Sequence, residues 1–283
     1  MKRLIYTAAS GWYTAYAPVF EYCCRRSYPD ADVHVDIIDD RPEKYYAACY
    51  RLLNHPGGDY DEVYVTDVDM MHVPMSPGLW QYHEQRMAHS HLCYSNSPRK
   101  GEERGPERLT GLHFATPEWY QRTYDQRDHY LNLLEKGLIG KQRYDDELTL
   151  MKVCRESGVG IPPRERLIGR HFGIHLGTIR CYATHSDRAR ESQLRIRVTH
   201  DQAEAWNDIV DSDGFEDVAR QACQGSRLVG EHLHRLEAFT RKWALTKRNA
   251  PKSRRYMLWV TQNSPRPVPL NRIHTAMNAK GGH

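Results

Sequence analysis

Two aspartates separated by one residue, Asp67 and Asp69, follow directly on a short segment rich in β-branched and aromatic residues, 62–66. Such a segment predicts a buried strand. The two carboxylates can both reach one cation, because the chain leaves the strict alternation of a strand at its end. Mg²⁺ and Mn²⁺ take carboxylate oxygens and leave coordination positions for phosphate oxygens. The spacing predicts a metal site for a phosphorylated substrate, with a turn or helix-capping pair of aspartates as the structural alternative.

The residues before this pair alternate between strand and helix patterns. Strands are predicted at 3–8, 33–38 and 62–66, with helices at 13–26 and 43–53 between them. This order is typical of an α/β fold with a parallel sheet and helices on its faces. Ligands bind such sheets outside the carboxyl ends of the strands, which is where Asp67 and Asp69 lie.

The second half of the chain has more helical character. We expect a mobile loop at 95–108, a strand at 109–115, helices at 117–135 and 145–157, and an amphipathic helix at 227–247. The predicted domains are a catalytic domain at 1–185, a helical C-terminal extension at 186–270 and a disordered tail at 271–283. No run of about 18 apolar residues is present, so the sequence predicts no membrane-spanning helix.

Charge is distributed unevenly along the chain. The segment from Arg227 to His283 contains twelve lysines and arginines but only two acidic residues, Glu231 and Glu237, so its net charge is about +10. Since the whole chain has a net charge of +4, the residues before Arg227 carry about −6. A basic tail on an acidic body indicates an anionic partner; a solvated helix face is the alternative. Seven scattered cysteines without a CxxC pair favour free thiols and a reducing cytoplasm.

The segment from Tyr46 to Asp69 resembles the retaining GT-A glycosyltransferases of family eight, the glycogenin and lipopolysaccharide-galactosyltransferase type. That family places a Tyr/Ala/Arg-Leu helix, here YAACYRLL at 46–53, one loop before a strand that ends in Asp-x-Asp, here DEVYVTDVD at 61–69. Three later segments are similar in order to family motifs: LTGLHF at 109–114, DDEL at 145–148 and HFGIHLG at 171–177. The resemblance covers roughly residues 3–180, and it implies a Rossmann-like sheet that binds a nucleotide sugar.

The resemblance implies a role for each matching residue. Asp67 and Asp69 would bind Mn²⁺ or Mg²⁺, with His175 as third ligand and His171 as the other candidate. Asp146 and Glu147 would face the reacting carbon of the sugar, although acidic residues also suit a helix N-terminus. The donor would contact the following residues: Thr7, Ala8, Ala9, Tyr13, Arg51, Asp67, Gly111, Gly177 and Arg180. For Tyr13 and Arg51, a half-buried helix aromatic and a helix-surface arginine are the alternatives.

The resemblance therefore implies transfer of a sugar from a nucleotide diphosphate sugar, with UDP-sugars favoured, to a hydroxyl acceptor with retention of configuration. The basic tail suits a glycan or lipid-linked glycan at an anionic membrane surface, which predicts a cytoplasmic protein at the inner membrane face. It also suits a hydroxymethylated base in phage-type DNA. A third hypothesis is a non-catalytic protein of the same fold that binds nucleotides or nucleic acid.

Overall fold

The computed structural model of the chain describes residues 1–41, 45–99, 106–163, 172–177 and 198–245. The expected α/β fold class is confirmed, because helices pack on both faces of one central sheet. The strands are β1 (Arg3–Ser10), β2 (Asp32–Ile38), β3 (Glu62–Val65), β4 (Met70–His72), β5 (Tyr94–Ser95), β6 (Pro98–Arg99), β7 (Arg108–Leu109), β8 (His113–Ala115) and β9 (Gly173–His175). The helices are a 3₁₀ helix (Gly11–Tyr16), α1 (Ala17–Ser27), α2 (Tyr46–Leu53), α3 (Leu79–Ser90), α4 (Pro117–Arg122), α5 (Tyr124–Glu135), α6 (Asp145–Glu156), α7 (His200–Val210), α8 (Phe215–Gly225) and α9 (Arg227–Leu245).

The central sheet has the strand order β2-β1-β3-β8-β5. Its first three strands are parallel, as predicted. The sequence made no prediction for the direction of the other two, and β8 runs antiparallel to both β3 and β5. The start of β8 pairs with the end of β3, His113 with Val65. The chain therefore enters β8 at the same edge of the sheet at which it leaves β3.

Strand β1 contributes to two hydrophobic cores. Ile5 and Ala9 pack in the core that contains α1, whereas Leu4 and Tyr6 pack in the core that contains α2 and α6. Successive side chains of a strand point to opposite faces, so a strand covered on both sides is apolar throughout.

Two sequence predictions for the region 95–115 are wrong. The described ends of the expected mobile loop form strands β5, β6 and β7, while residues 100–105 lie outside the described residues. The expected strand at 109–115 is interrupted between β7 and β8, where the buried Asn96 binds the backbone. Its Nδ2 donates to the carbonyl oxygens of Thr110 and Leu112, each at 3.0 Å, and its Oδ1 accepts from the Thr110 amide at 2.9 Å. The backbone groups of Thr110 and Leu112 bind the Asn96 side chain instead of a neighbouring strand, so the strand is interrupted between β7 and β8.

Helix α8 packs against α1 and the 3₁₀ helix, α9 packs against α7 and α8, and all three C-terminal helices share the hydrophobic core that contains α1. The apolar face of α9, including Leu236 and Phe239, is buried in that core, whereas Leu228, at the start of the helix, is 41% exposed. The proposed domain boundary at 185 falls outside the described residues, and the division stays a prediction. Within the described residues, no helix has both the length and the apolar character that membrane crossing needs.

Candidate active site

The backbone after β3 brings the two aspartates next to a histidine that lies more than a hundred residues later. A tight turn follows Asp67, and the Met70 amide closes it by donating to the Asp67 carbonyl at 3.1 Å. Strand β4 then pairs antiparallel with β9, with Met70 opposite His175. Gly173 permits this approach, because a Cβ atom there would lie 2.6 Å from the Met71 carbonyl oxygen.

Asp67, Asp69 and His175 form a group with one ligand atom each within 4.8 Å of the others. His175 Nε2 lies 3.0 Å from Asp69 Oδ1 and 3.6 Å from Asp67 Oδ2. Asp69 is buried, while Asp67 and His175 are partly exposed. Because two of the three side chains are partly exposed to solvent, a bound ion would keep coordination positions for a ligand.

The imidazole of His175 lies directly over Gly177. A Cβ atom at position 177 would be 2.6 Å from His175 Cε1 and 3.2 Å from Nε2, closer than side chains pack. The absence of a side chain at Gly177 therefore leaves room for the ring in this position. His171 and Arg180 are outside the described residues, so the sequence alternatives for them stay open.

Arg51 connects the candidate metal ligands with Asp146. Its Nη2 lies 2.6 Å from Asp67 Oδ1 and 3.6 Å from Asp146 Oδ2, and it donates to the Gly111 carbonyl at 3.4 Å. The Arg51 side chain is only 4% exposed, so the alternative of a helix-surface arginine is wrong. Burial lowers the pKa of Arg51, but the carboxylates of Asp67 and Asp146 outweigh burial and raise it overall. Arg51 is therefore a fixed positive charge between acidic groups.

Asp146 faces this arginine from the first turn of α6. Burial raises the pKa of the Asp146 carboxyl, Arg51 opposes the rise, and the charge of Asp67 adds to it. Gly111 makes room for the contact, because a Cβ atom there would lie 2.9 Å from Arg51 Nη2 and 3.3 Å from Asp146 Oδ2. Asn96 in turn holds the loop that carries Gly111.

Glu147 points to a different set of partners. Its carboxylate accepts from Arg108 Nε at 2.5 Å and lies 3.4 Å from Arg99 Nη1. Burial raises the pKa of Glu147, while Arg99 and Arg108 oppose that rise. Asp146 thus lies beside Arg51, which also contacts Asp67, whereas Glu147 forms a buried ion pair with Arg108 of strand β7. Asp145 accepts from the amides of Lys141 and Gln142 and so holds the loop that precedes α6.

The residues predicted to receive the nucleotide base lie at the end of β1. Thr7, Ala8 and Ala9 are buried, and the Thr7 hydroxyl donates to the Thr66 carbonyl at 2.7 Å, which ties β1 to the residue before Asp67. Tyr13 lies in the 3₁₀ helix, partly buried against the more exposed Trp12, with ring centroids 4.1 Å apart. Their contact with a nucleotide stays a prediction.

Asn96 and Arg108 are the residues of this region that sequence reasoning missed. Both fall within the stretch interpreted as a loop on the basis of its polar composition. The available signal was the strand-like pair Tyr94-Ser95 before Asn96, which is too short to predict a strand.

Searches with protein-family models and among curated proteins found no match for this chain. Among solved structures, the chain is similar to the glycosyltransferase GlyE of Streptococcus pneumoniae TIGR4, with 13% identity and a TM-score of 0.42 over 83% of this chain. It spans 64% of the GlyE chain. It is also similar to the galactosyltransferase LgtC in complex with donor and acceptor sugar analogues, with 11% identity and a TM-score of 0.36 over 78% of this chain and 95% of LgtC.

Proposed function

We propose that this chain is a metal-dependent glycosyltransferase that moves a sugar from a nucleotide diphosphate sugar to a hydroxyl acceptor. The observation that carries the proposal is the group Asp67, Asp69 and His175 at the carboxyl end of β3, with Arg51 and Asp146 beside it. Three ligand atoms, a buried cation and a further carboxylate are the groups needed to bind a diphosphate and an adjoining sugar.

The three metal-ligand atoms fit Mn²⁺ better than Mg²⁺, because one of them is an imidazole nitrogen. Asp67 and Asp69 would each supply a carboxylate oxygen, and His175 would supply Nε2. A bound divalent ion would act as a Lewis acid that stabilises negative charge on the departing diphosphate.

The side chains of this protein would orient the donor around that ion. Arg51 fixes Asp67 through Oδ1, which leaves Oδ2 directed toward His175. The same guanidinium offers positive charge to a phosphate, and a buried cation acts strongly because little water screens it. Asp146, on the other side of Arg51, would accept hydrogen bonds from sugar hydroxyls and stabilise positive charge that develops at the anomeric carbon.

UDP-sugars are the donor class that we favour, and retention of configuration follows from the resemblance of 46–69 to family eight. The acceptor that we favour is a surface or lipid-linked glycan, bound with help from the basic residues after Arg227. The apolar face of α9 is buried, so contact with a membrane surface would depend on the charged residues of this segment.

A thermal-shift screen of nucleotide sugars with and without Mn²⁺ tests the proposal, because a ligand that binds the folded state raises the unfolding temperature. We expect a nucleotide sugar to stabilise the wild type only with Mn²⁺, and the exposed-residue control Asp59→Asn to behave identically. An Asp69→Asn variant should lose the shift. The proposal is wrong if no nucleotide sugar stabilises the wild type, or if Asp69→Asn leaves the shift intact.

A further inference from the structure

Two arginines at the first turn of α6, Arg99 and Arg143, carry positive charge that the described carboxylates do not match. Glu147 is already paired with Arg108 at 2.5 Å. Among the described residues, the ion-pair contact of Arg99 is its 3.4 Å approach to Glu147, and Arg143 makes no ion pair. Arg99 is 42% exposed and Arg143 is also exposed, so both guanidinium groups can reach a ligand.

The backbone between Arg143 and Asp146 is held in an unusual conformation. Tyr144 has a φ of +72°, in the left-handed region that bulky residues rarely adopt and that costs about 1–3 kcal/mol. Its ring is contacted by the guanidinium groups of Arg108 and Arg143, 4.0 and 4.5 Å from the ring centroid. Arg143 is therefore held close to the first turn of α6, two residues before Asp145 and three before Asp146.

Both cations lie at the first turn of α6, the turn that also carries Asp146. Asp67 contacts Arg51, Arg51 contacts Asp146, and the neighbouring Glu147 contacts Arg99. In the proposed function the diphosphate lies at Asp67 and Arg51, and the sugar lies at Asp146. The acceptor hydroxyl must approach the sugar beside Asp146, so cations at the same helix turn are placed to contact the rest of the acceptor.

We propose that Arg99 and Arg143 bind an anionic group, a phosphate or a carboxylate, on the acceptor. Guanidinium groups bind both kinds of oxyanion with paired hydrogen bonds. This inference rests on the proposed function and adds the chemical class of the acceptor. It differs from a role for the basic tail, because Arg99 and Arg143 lie on β6 and directly before α6.

The test compares glucose, glucose 6-phosphate and glucuronate as acceptor probes, with the donor found in the thermal-shift screen. We expect the wild type to transfer sugar about tenfold faster to the two anionic probes than to glucose at equal low concentration. An Arg99→Gln/Arg143→Gln variant should lose that preference and keep its KM for the donor and its rate of donor hydrolysis. The matched control is Arg220→Gln, an exposed arginine on α8.

Three results would overturn the inference: no preference in the wild type, a preference that survives in the double variant, or a donor KM that rises in the double variant. The last result would assign the two arginines to the donor diphosphate. Arg99→Lys/Arg143→Lys should restore part of the preference, because it keeps the charge but loses the paired geometry.

A direct titration separates this inference from the proposed function. Glucose 6-phosphate, added without metal or donor, should bind the wild type more tightly than the double variant, and the difference should shrink at high salt. Equal binding contradicts the inference even if transfer occurs. Binding that depends on both arginines, without metal-dependent donor cleavage, would support the anion site and contradict the glycosyltransferase proposal.

Discussion

Arg51 Nη2 lies 2.6 Å from Asp67 Oδ1, so a buried cation occupies one oxygen of a candidate metal ligand. The other oxygen faces His175. A partner of this kind fixes the orientation of a ligand, and loss of such a partner typically weakens metal binding by about 10–100-fold.

We expect Arg51→Lys to weaken Mn²⁺ binding by roughly tenfold or more, because an ammonium group cannot hold Asp67, Asp146 and the Gly111 carbonyl in the same geometry. Calorimetric titration with Mn²⁺ measures the change. Unaltered affinity in a folded Arg51→Lys variant would show that Asp67 needs no orienting partner.

Gly177→Ala should reduce Mn²⁺ affinity with little loss of stability. The added Cβ atom would lie 2.6 Å from His175 Cε1, and the partly exposed ring can turn away at small cost. Gly78→Ala is the control, because nothing lies within 4 Å of its added Cβ atom. If Gly177→Ala binds Mn²⁺ as the wild type does, His175 does not need its present position.

Asn96→Asp should destabilise the fold by about 2–3 kcal/mol. An aspartate keeps the acceptor oxygen for the Thr110 amide but places a second oxygen against the carbonyls of Thr110 and Leu112. Urea unfolding measures the loss. Asn132→Asp, at an exposed position on α5, is the comparison; equal effects of the two changes would contradict the role assigned to Asn96.

Stability should fall as the pH drops below about 6.5, because buried histidines are held neutral. Burial lowers the pKa of His72 to about 4 and that of His113 to about 3, from the usual histidine value of 6.5. Below pH 6.5 the unfolded chain takes up protons that the folded chain does not, so each group removes up to about 1.4 kcal/mol of stability per pH unit down to its folded pKa.

His113→Asn should therefore flatten the pH dependence of the free energy of unfolding between pH 6.5 and 4, whatever it does to stability at neutral pH. His129→Gln, on the exposed surface of α5, is the control. A slope that is identical in wild type and His113→Asn would contradict this account.

The parts of the fold that follow local patterns were predicted well. The predicted strand at 62–66 agrees with β3, and the predicted helix at 145–157 agrees with α6, each to within about a residue at each end. The two aspartates follow the strand as predicted. Periodicity and turn residues determine these elements locally. The choice of His175 as a candidate ligand agrees with its place beside Asp67 and Asp69.

Other features depend on contacts that are distant in sequence. The antiparallel direction of β8 depends on where the chain re-enters the sheet, and the break at 110–112 depends on one buried side chain, Asn96. Asp146 and Glu147 are adjacent and chemically alike, yet they point to Arg51 and Arg108. Sequence spacing alone carries no information about such partners.

The central claim is that Asp67, Asp69 and His175 bind a divalent ion that enables cleavage of a nucleotide sugar. The most direct measurement is the release of nucleoside diphosphate from a nucleotide sugar by wild type, Asp69→Asn and the control Asp59→Asn, with and without added Mn²⁺. The account predicts Mn²⁺-dependent release by the wild type and Asp59→Asn, and a loss of about a hundredfold or more in Asp69→Asn. Release that proceeds equally in the chelated wild type, or in folded Asp69→Asn, would contradict it.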